Sequence, residues 1–171
     1  MRKSFSALIL LLVVFTLSVF SQGERRGRLY LTGKVVNENK RGLESTIMIF
    51  RGKNKIDEFS TNRIGKFERA IELQDSLAMV VYAENYVSKT IYINSFVPLA
   101  KLKYDFAFPF FIDVYPIGRT PSNIDLGRPV GKIIFSGTQF IYDIEFTKAQ
   151  NERLKEFVRE RKDLKIRELE E

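Results

Sequence analysis

Leu29-Tyr30-Leu31-Thr32-Gly33-Lys34-Val35-Val36, then Asn37-Glu38-Asn39-Lys40-Arg41-Gly42, then Thr46-Ile47-Met48-Ile49-Phe50, reads as strand, turn, strand. Apolar side chains recur at alternate positions, the period of a half-buried strand, and the polar segment between them ends in a turn glycine. Working outward, the same pattern returns at 55–60, 66–73, 77–83 and 87–93. The separators are Gly52-Lys53-Asn54, Asn62-Arg63-Ile64-Gly65, Gln74-Asp75-Ser76 and Glu84-Asn85. No stripe of helical period interrupts the series. Six short strands joined by tight turns predict a mainly β protein, an antiparallel β-sandwich.

Further along, Tyr104, Phe106, Phe108, Phe110, Ile112 and Val114 put a large apolar side chain on every second position. This predicts one long strand with a core-facing aromatic side. Pro109 has no N–H to give to a ladder, so that strand belongs at an edge or carries a bulge. Pro116, Gly118, Pro121, Gly127 and Pro129 mark 115–129 as a loop. A hairpin is expected from 130–135 and 139–146 across Ser136-Gly137-Thr138, with Phe140, Tyr142, Ile144 and Phe146 on one face. The expected core includes Val35, Met48, Phe67, Ile71, Val81, Ile91, Phe108, Phe110 and Tyr142. Thr147 and Gln150 stand at capping-box spacing, and 147–171 contains neither Gly nor Pro. A charged helix over 147–171 is expected, projecting from the sandwich or lightly packed on it. Leu154, Phe157, Arg161 and Leu164 would share one face, a stripe interrupted by charge and suited to a partner.

With 171 residues, 44% hydrophobic and 29% charged, the chain is large enough for one folded domain with appendages. Its 15 Phe and 7 Tyr supply all the aromatics, and Cys, His and Trp are absent. That composition excludes disulfides, thiolate chemistry, imidazole bases and the usual zinc sites. At the start, Arg2 and Lys3 precede an apolar run from Phe5 to Phe20 that ends at Ser21-Gln22, the layout of a secretory signal. Residues 1–21 are expected to be removed and 22–28 to form a flexible N-terminus. The run is shorter than the ~20 residues a bilayer span needs, so no transmembrane span is expected after signal removal. Without Arg2 and Lys3, 26 basic and 21 acidic residues leave a net charge of +5. Export sets nucleic acid aside as a partner for that charge. A secreted chain without Cys points to a bacterial envelope, either periplasmic or associated with the outer membrane.

The strand region also carries a resemblance. Leu31-Thr32-Gly33-Lys34-Val35-Val36, Gly42-Leu43 before Ile47-Met48-Ile49, Thr61-Asn62 with Gly65-Lys66-Phe67, Asp75-Ser76-Leu77 and Asn85-Tyr86 resemble the carboxypeptidase regulatory-like domain. The likeness implies a transthyretin-like, Ig-like sandwich over 29–95, of the kind found in exported envelope proteins of Bacteroidota. Residues 96–146 would then be a β extension containing the 115–129 loop, followed by the helix at 147–171. Asn85 departs from the family's usual glycine before the aromatic, and Asn tolerates the left-handed backbone that such a turn needs.

Chemistry would have to rest on carboxylates, lysines or hydroxyls. Asp57 and Glu58 are strand neighbours pointing to opposite faces. Asp105 and Asp113 are about 26 Å apart at strand rise, too far to act as a glycosidase pair. Phosphate-loop, dinucleotide and EF-hand spacings do not occur. The expectation is therefore no enzyme, with no catalytic residue, cofactor or metal. Asp75-Ser76-Leu77 resembles the site at which Bacteroidota O-glycosylate exported proteins, which marks Ser76, although these are also ordinary turn-to-strand residues. The expected function is an exported, non-catalytic protein-binding or assembly module of the bacterial cell envelope, with an envelope protein as partner. The alternative is a carbohydrate-binding sandwich holding a glycan on an aromatic row of Tyr82, Tyr92 and Tyr115.

Overall fold

The computed structural model describes residues 26–117, 129–150 and 152. Among the described residues nine strands run in chain order: β1 (Arg28–Val36), β2 (Thr46–Arg51), β3 (Asn54–Ser60), β4 (Lys66–Glu72), β5 (Ser76–Tyr82), β6 (Lys89–Asn94), β7 (Phe106–Asp113), β8 (Pro129–Ser136) and β9 (Gln139–Tyr142). A short 3₁₀ turn at Leu99–Lys101 precedes β7, and a helix, α1, occupies 144–150. The strands form two sheets, one of three strands in the order β4-β1-β7 and one of six in the order β3-β2-β5-β6-β8-β9. The protein is a β-sandwich with a C-terminal helix.

Alternation builds the core. Leu29, Leu31 and Val35 of β1 face Ile47 and Ile49 of β2, Met79 and Val81 of β5, and Ile91 and Ile93 of β6, all buried in one cluster. Each such side chain contributes about 1.5–3 kcal/mol on leaving water. Aromatic rings close both open edges of the sandwich. At one edge Phe59 of β3 lies 6.1 Å from Phe67 of β4. At the other, Phe106 meets Phe135 and Phe140 at 5.3 and 5.5 Å, and Phe108 meets Tyr142 at 5.2 Å.

Two glycines are required by geometry. Gly33 lies beneath the Phe67 ring, where a Cβ would come within 2.3 Å of the ring carbon Cζ. Gly65 turns the chain into β4 with φ +78°, and a Cβ there would stand 2.2 Å from the Val35 carbonyl oxygen. Asn85 adopts φ 63°, the left-handed conformation expected of it.

Several expectations are corrected. The sandwich is not wholly antiparallel: β7 pairs parallel to β1, and β8 pairs parallel to β6. Loop-spanning connections allow this, since the partners are far apart in sequence and no tight turn dictates their direction. The expected extension after residue 95 joins both sheets of the sandwich. β7 completes the small sheet, and β8 and β9 complete the large one. Pro109 does sit on an edge strand, β7. Met48 points outward and is half-buried, because Ile47 and Ile49 take the inward positions of β2. The hairpin's second arm ends at Tyr142, so Ile144 and Phe146 belong to α1.

The helix does not start at Thr147. Asp143 caps it: the Phe146 N–H donates to Asp143 Oδ1 at 2.9 Å, and the Thr147 N–H donates to the Asp143 carbonyl at 3.1 Å. The Thr147 hydroxyl also bonds back to that carbonyl at 2.9 Å, inside the helix. An N-cap aspartate with Glu145 in the first turn outcompetes the later Thr147–Gln150 spacing because it satisfies the free N–H groups directly after the strand. Residues 1–21, the 118–128 part of the loop, and Leu154, Phe157, Arg161 and Leu164 lie outside the described residues. Among the described residues no helix is long and apolar enough to cross a membrane.

Candidate binding face

The outward side of the small sheet is set by register. Lys34 of β1 stands between Lys66 of β4 and Phe111 of β7, and Thr32 stands between Glu68 and Pro109. Thr32 and the pyrrolidine of Pro109 are short, so the middle of this face is low. The result is an open depression of about 480 Å³. Backbone of Gly33, Phe67 and Phe110 forms its floor, and Lys34, Lys66, Glu68 and Phe111 stand around it.

Two properties distinguish this face. Phe111 is 72% exposed, a whole aromatic ring presented to water. Lys34 and Lys66, register partners of like charge, take part in no ion pair among the described residues. The neighbouring Asn62 is committed to the turn, where its Oδ1 accepts from the N–H groups of Ile64 and Lys66 at 3.1 and 2.8 Å. The arrangement can hold an anionic group between two ammonium ions beside an apolar ring. The sequence contained a signal for it. Phe111 follows Phe110 directly and breaks the alternation of the long strand, which forces one of two adjacent rings outward.

A second charged group lies where β6 begins and β7 ends. Lys89 holds its Nζ 5.0 Å from the Tyr115 ring centre, and Lys40 pairs with Asp113 at 2.9 Å. Burial lowers the Lys89 pKa, opposed by the Asp113 charge and reinforced by Lys40. The carboxylates weighed in the sequence are all engaged apart from one another. Asp57 takes both nitrogens of the Arg69 fork at 2.6 Å, Glu58 pairs with Lys55, and Asp105 accepts the Arg28 N–H at 2.9 Å. Among the described residues no three metal-binding side chains come together.

The remaining candidates are dispersed. Tyr82 and Tyr92 face outward from the large sheet, whereas Tyr115 follows β7 beneath Lys89, so the three do not form one row. The Tyr92 ring is itself met by Phe146 at 6.4 Å. Ser76 opens β5 and is exposed. Asp75 beside it is occupied by Arg51 at 2.8 and 2.5 Å and by the Ser76 N–H at 2.8 Å.

No family model and no curated protein matches the chain. Among solved structures it is similar to 3-chlorocatechol 1,2-dioxygenase from Rhodococcus opacus, with 11% identity over 56% of this chain and 62% of that one, at a TM-score of 0.40. Catechol 1,2-dioxygenase from Acinetobacter matches with 10% identity over 64% and 59%, at a TM-score of 0.43. The dioxygenase domain of a dioxygenase and carbohydrate-binding fusion from Streptomyces matches with 11% identity over 54% and 84%, at a TM-score of 0.35. The chain spans about three fifths of the length of the first two. None of the three is a carboxypeptidase regulatory-like domain. The expectation that the chain is no enzyme is corrected by these matches, all of them to enzymes, and is withdrawn. Likeness at this level brings no activity, metal or substrate to this chain.

Proposed function

We propose that the chain is an exported protein-binding or assembly module of a bacterial cell envelope, and that its contact surface is the outward face of the small sheet. The observation that carries the reading is Phe111, 72% exposed between a low sheet centre and Lys34 and Lys66, which take part in no ion pair among the described residues. An exposed aromatic ring is the type of side chain enriched at interface centres, and the two ammonium ions beside it favour a partner with an acidic patch. The basic start, the short apolar run and the lack of Cys support export to an envelope. The turn residues Gly65 and Asn85, both at positive φ, support the carboxypeptidase regulatory-like reading of the sandwich.

The test is capture of envelope proteins by the mature chain, residues 22–171, with and without Phe111→Ala. Loss of a central aromatic anchor costs at least about 1.4 kcal/mol, so specific capture should fall about tenfold while the melting temperature stays the same. Undiminished capture by the Phe111→Ala chain would remove this face from the proposal.

A further inference from the structure

The end of the sandwich opposite α1 is closed by the connection from β6 to β7, residues 95–105, with Arg26 and Gly27 alongside it. This segment is pinned on both sides. Ser95 is fully buried and its hydroxyl donates to the Glu72 carbonyl at 2.9 Å, while Gln74 Nε2 donates to the Val97 carbonyl at 2.5 Å. The Gly27 N–H donates to the Leu102 carbonyl at 2.7 Å. Val97 is buried, and Leu102 packs against the core. Three turn bonds, from the Lys101 N–H to the Pro98 carbonyl, from Leu102 to Leu99 and from Tyr104 to Lys101, at 2.7, 3.1 and 3.1 Å, fold 98–104 into a compact tip.

With Val97 and Leu102 turned inward, Leu99 is left 83% exposed, Phe96 52% and Tyr104 49%. At that exposure Leu99 projects from the surface and is not the wall of a groove. Cations stand around these side chains. Lys101 and Lys103 hold their Nζ atoms 5.5 and 5.4 Å from the Tyr104 ring centre, and neither takes part in an ion pair among the described residues. Arg26 and Arg28 border the tip through the Gly27 bond, and Lys53 stands in the turn before β3 at the same end. Against them are Asp105, which accepts the Arg28 N–H, and Glu72, the register partner of Arg28, while Asp75 is neutralised by Arg51. This end is therefore cationic around an apolar centre.

We propose that this end, with Phe96, Leu99 and Tyr104 at its centre, docks on the surface of an anionic bilayer. A projecting leucine gains by entering the acyl boundary, a tyrosine suits the headgroup level, and lysines reach lipid phosphates while their stems lie along apolar surface. Because the tip is already pinned, it loses little conformational freedom on insertion. The occupant is a lipid surface and not a protein because projecting apolar side chains bordered by cations match a layer with anions outside and hydrocarbon beneath. A protein partner would need a matching pocket with acids at its rim. The site is separate from Lys34, Lys66 and Phe111, since Lys34 lies six residues, or about 20 Å, along β1 from Arg28.

Because the protein has no Trp, Leu99→Trp in residues 22–171 places a probe at the tip without the apolar run of 5–20. With vesicles of phosphatidylcholine carrying about one third phosphatidylglycerol, its emission should shift to the blue and the chain should cosediment, less so as salt is raised. Vesicles of phosphatidylcholine alone should bind far less. At about fivefold per lysine, Lys101→Gln combined with Lys103→Gln should weaken partitioning about 25-fold. Leu99→Ser should weaken it too, with the melting temperature unchanged. Failure to bind the anionic vesicles would overturn the proposal. So would binding that leaves the Trp emission unshifted, which is adsorption by charge alone, or a blue shift obtained with polyglutamate and not with vesicles, the sign of an acidic protein partner. The vesicles contain no protein, so none of these outcomes bears on capture of envelope proteins by the Phe111 face.

Discussion

Tyr142, a half-buried phenol, is where a single residue is expected to make the sandwich sensitive to pH. Its ring packs edge-on against Phe108 and Phe110, and burial pushes its pKa up to about 12 from an ordinary value of 10.0. A phenol that ionises less readily in the folded state contributes stability that is complete below pH 10 and lost as the pH rises through about 12. Denaturant midpoints measured from pH 9 to 12 should therefore fall across that window, with a shallower fall in the Tyr142→Phe chain. An identical profile would mean that the hydroxyl is solvated in the folded state. Gly33 is the other position where one residue decides packing. Phe67 reaches Phe110, 5.7 Å away and edge-on, only because no side chain rises from β1 between them.

At the scale of elements, the junction from β9 to α1 depends on Asp143. One carboxylate caps the helix, and its other oxygen lies 3.8 Å from Lys132 Nζ on β8. Removing an N-cap costs about 0.5–2 kcal/mol, so Asp143→Ala should reduce helical circular dichroism and lower the unfolding free energy by about 1 kcal/mol. Asp143→Asn should retain most of both, since an amide oxygen still accepts the Phe146 N–H. Equal losses in the two variants would point to the ion pair with Lys132 as the main contribution. Strand β7 illustrates the opposite case, an element defined by its edge. Pro109 has no N–H to donate, and such a residue is tolerated in a sheet at an edge strand such as β7.

For the whole molecule, the rings joining the two sheets matter most. Phe108 belongs to the small sheet, is buried, and meets Tyr142 of the large sheet at 5.2 Å and Phe110 at 5.4 Å. Phe108→Ala should cost about 3–5 kcal/mol through lost burial and the cavity left behind, visible as a clear drop in melting temperature. A melting temperature unchanged by that substitution would show that the two sheets are held together elsewhere.

Alternation at 29–36, 46–50 and 66–73, with the turn residues between them, was enough to establish strands, turns and a sandwich. A strand's period and a turn's backbone requirements are local, so they are written in adjacent residues. The inward face of β1 and the edge position of Pro109 were legible for the same reason. The pairing partners of β7 and β8 were not, because parallel pairing joins residues that no local pattern connects, and only the closed sandwich selects them. The end of β9 was misread where a strand period and a helix period briefly coincide at Phe140, Tyr142, Ile144 and Phe146, and the Asp143 cap decided between them. Nor could the binding face be assembled from sequence. Lys34, Lys66 and Phe111 come from three separate strands, and their meeting is a consequence of register, which hydrogen bonding across the finished sheet determines.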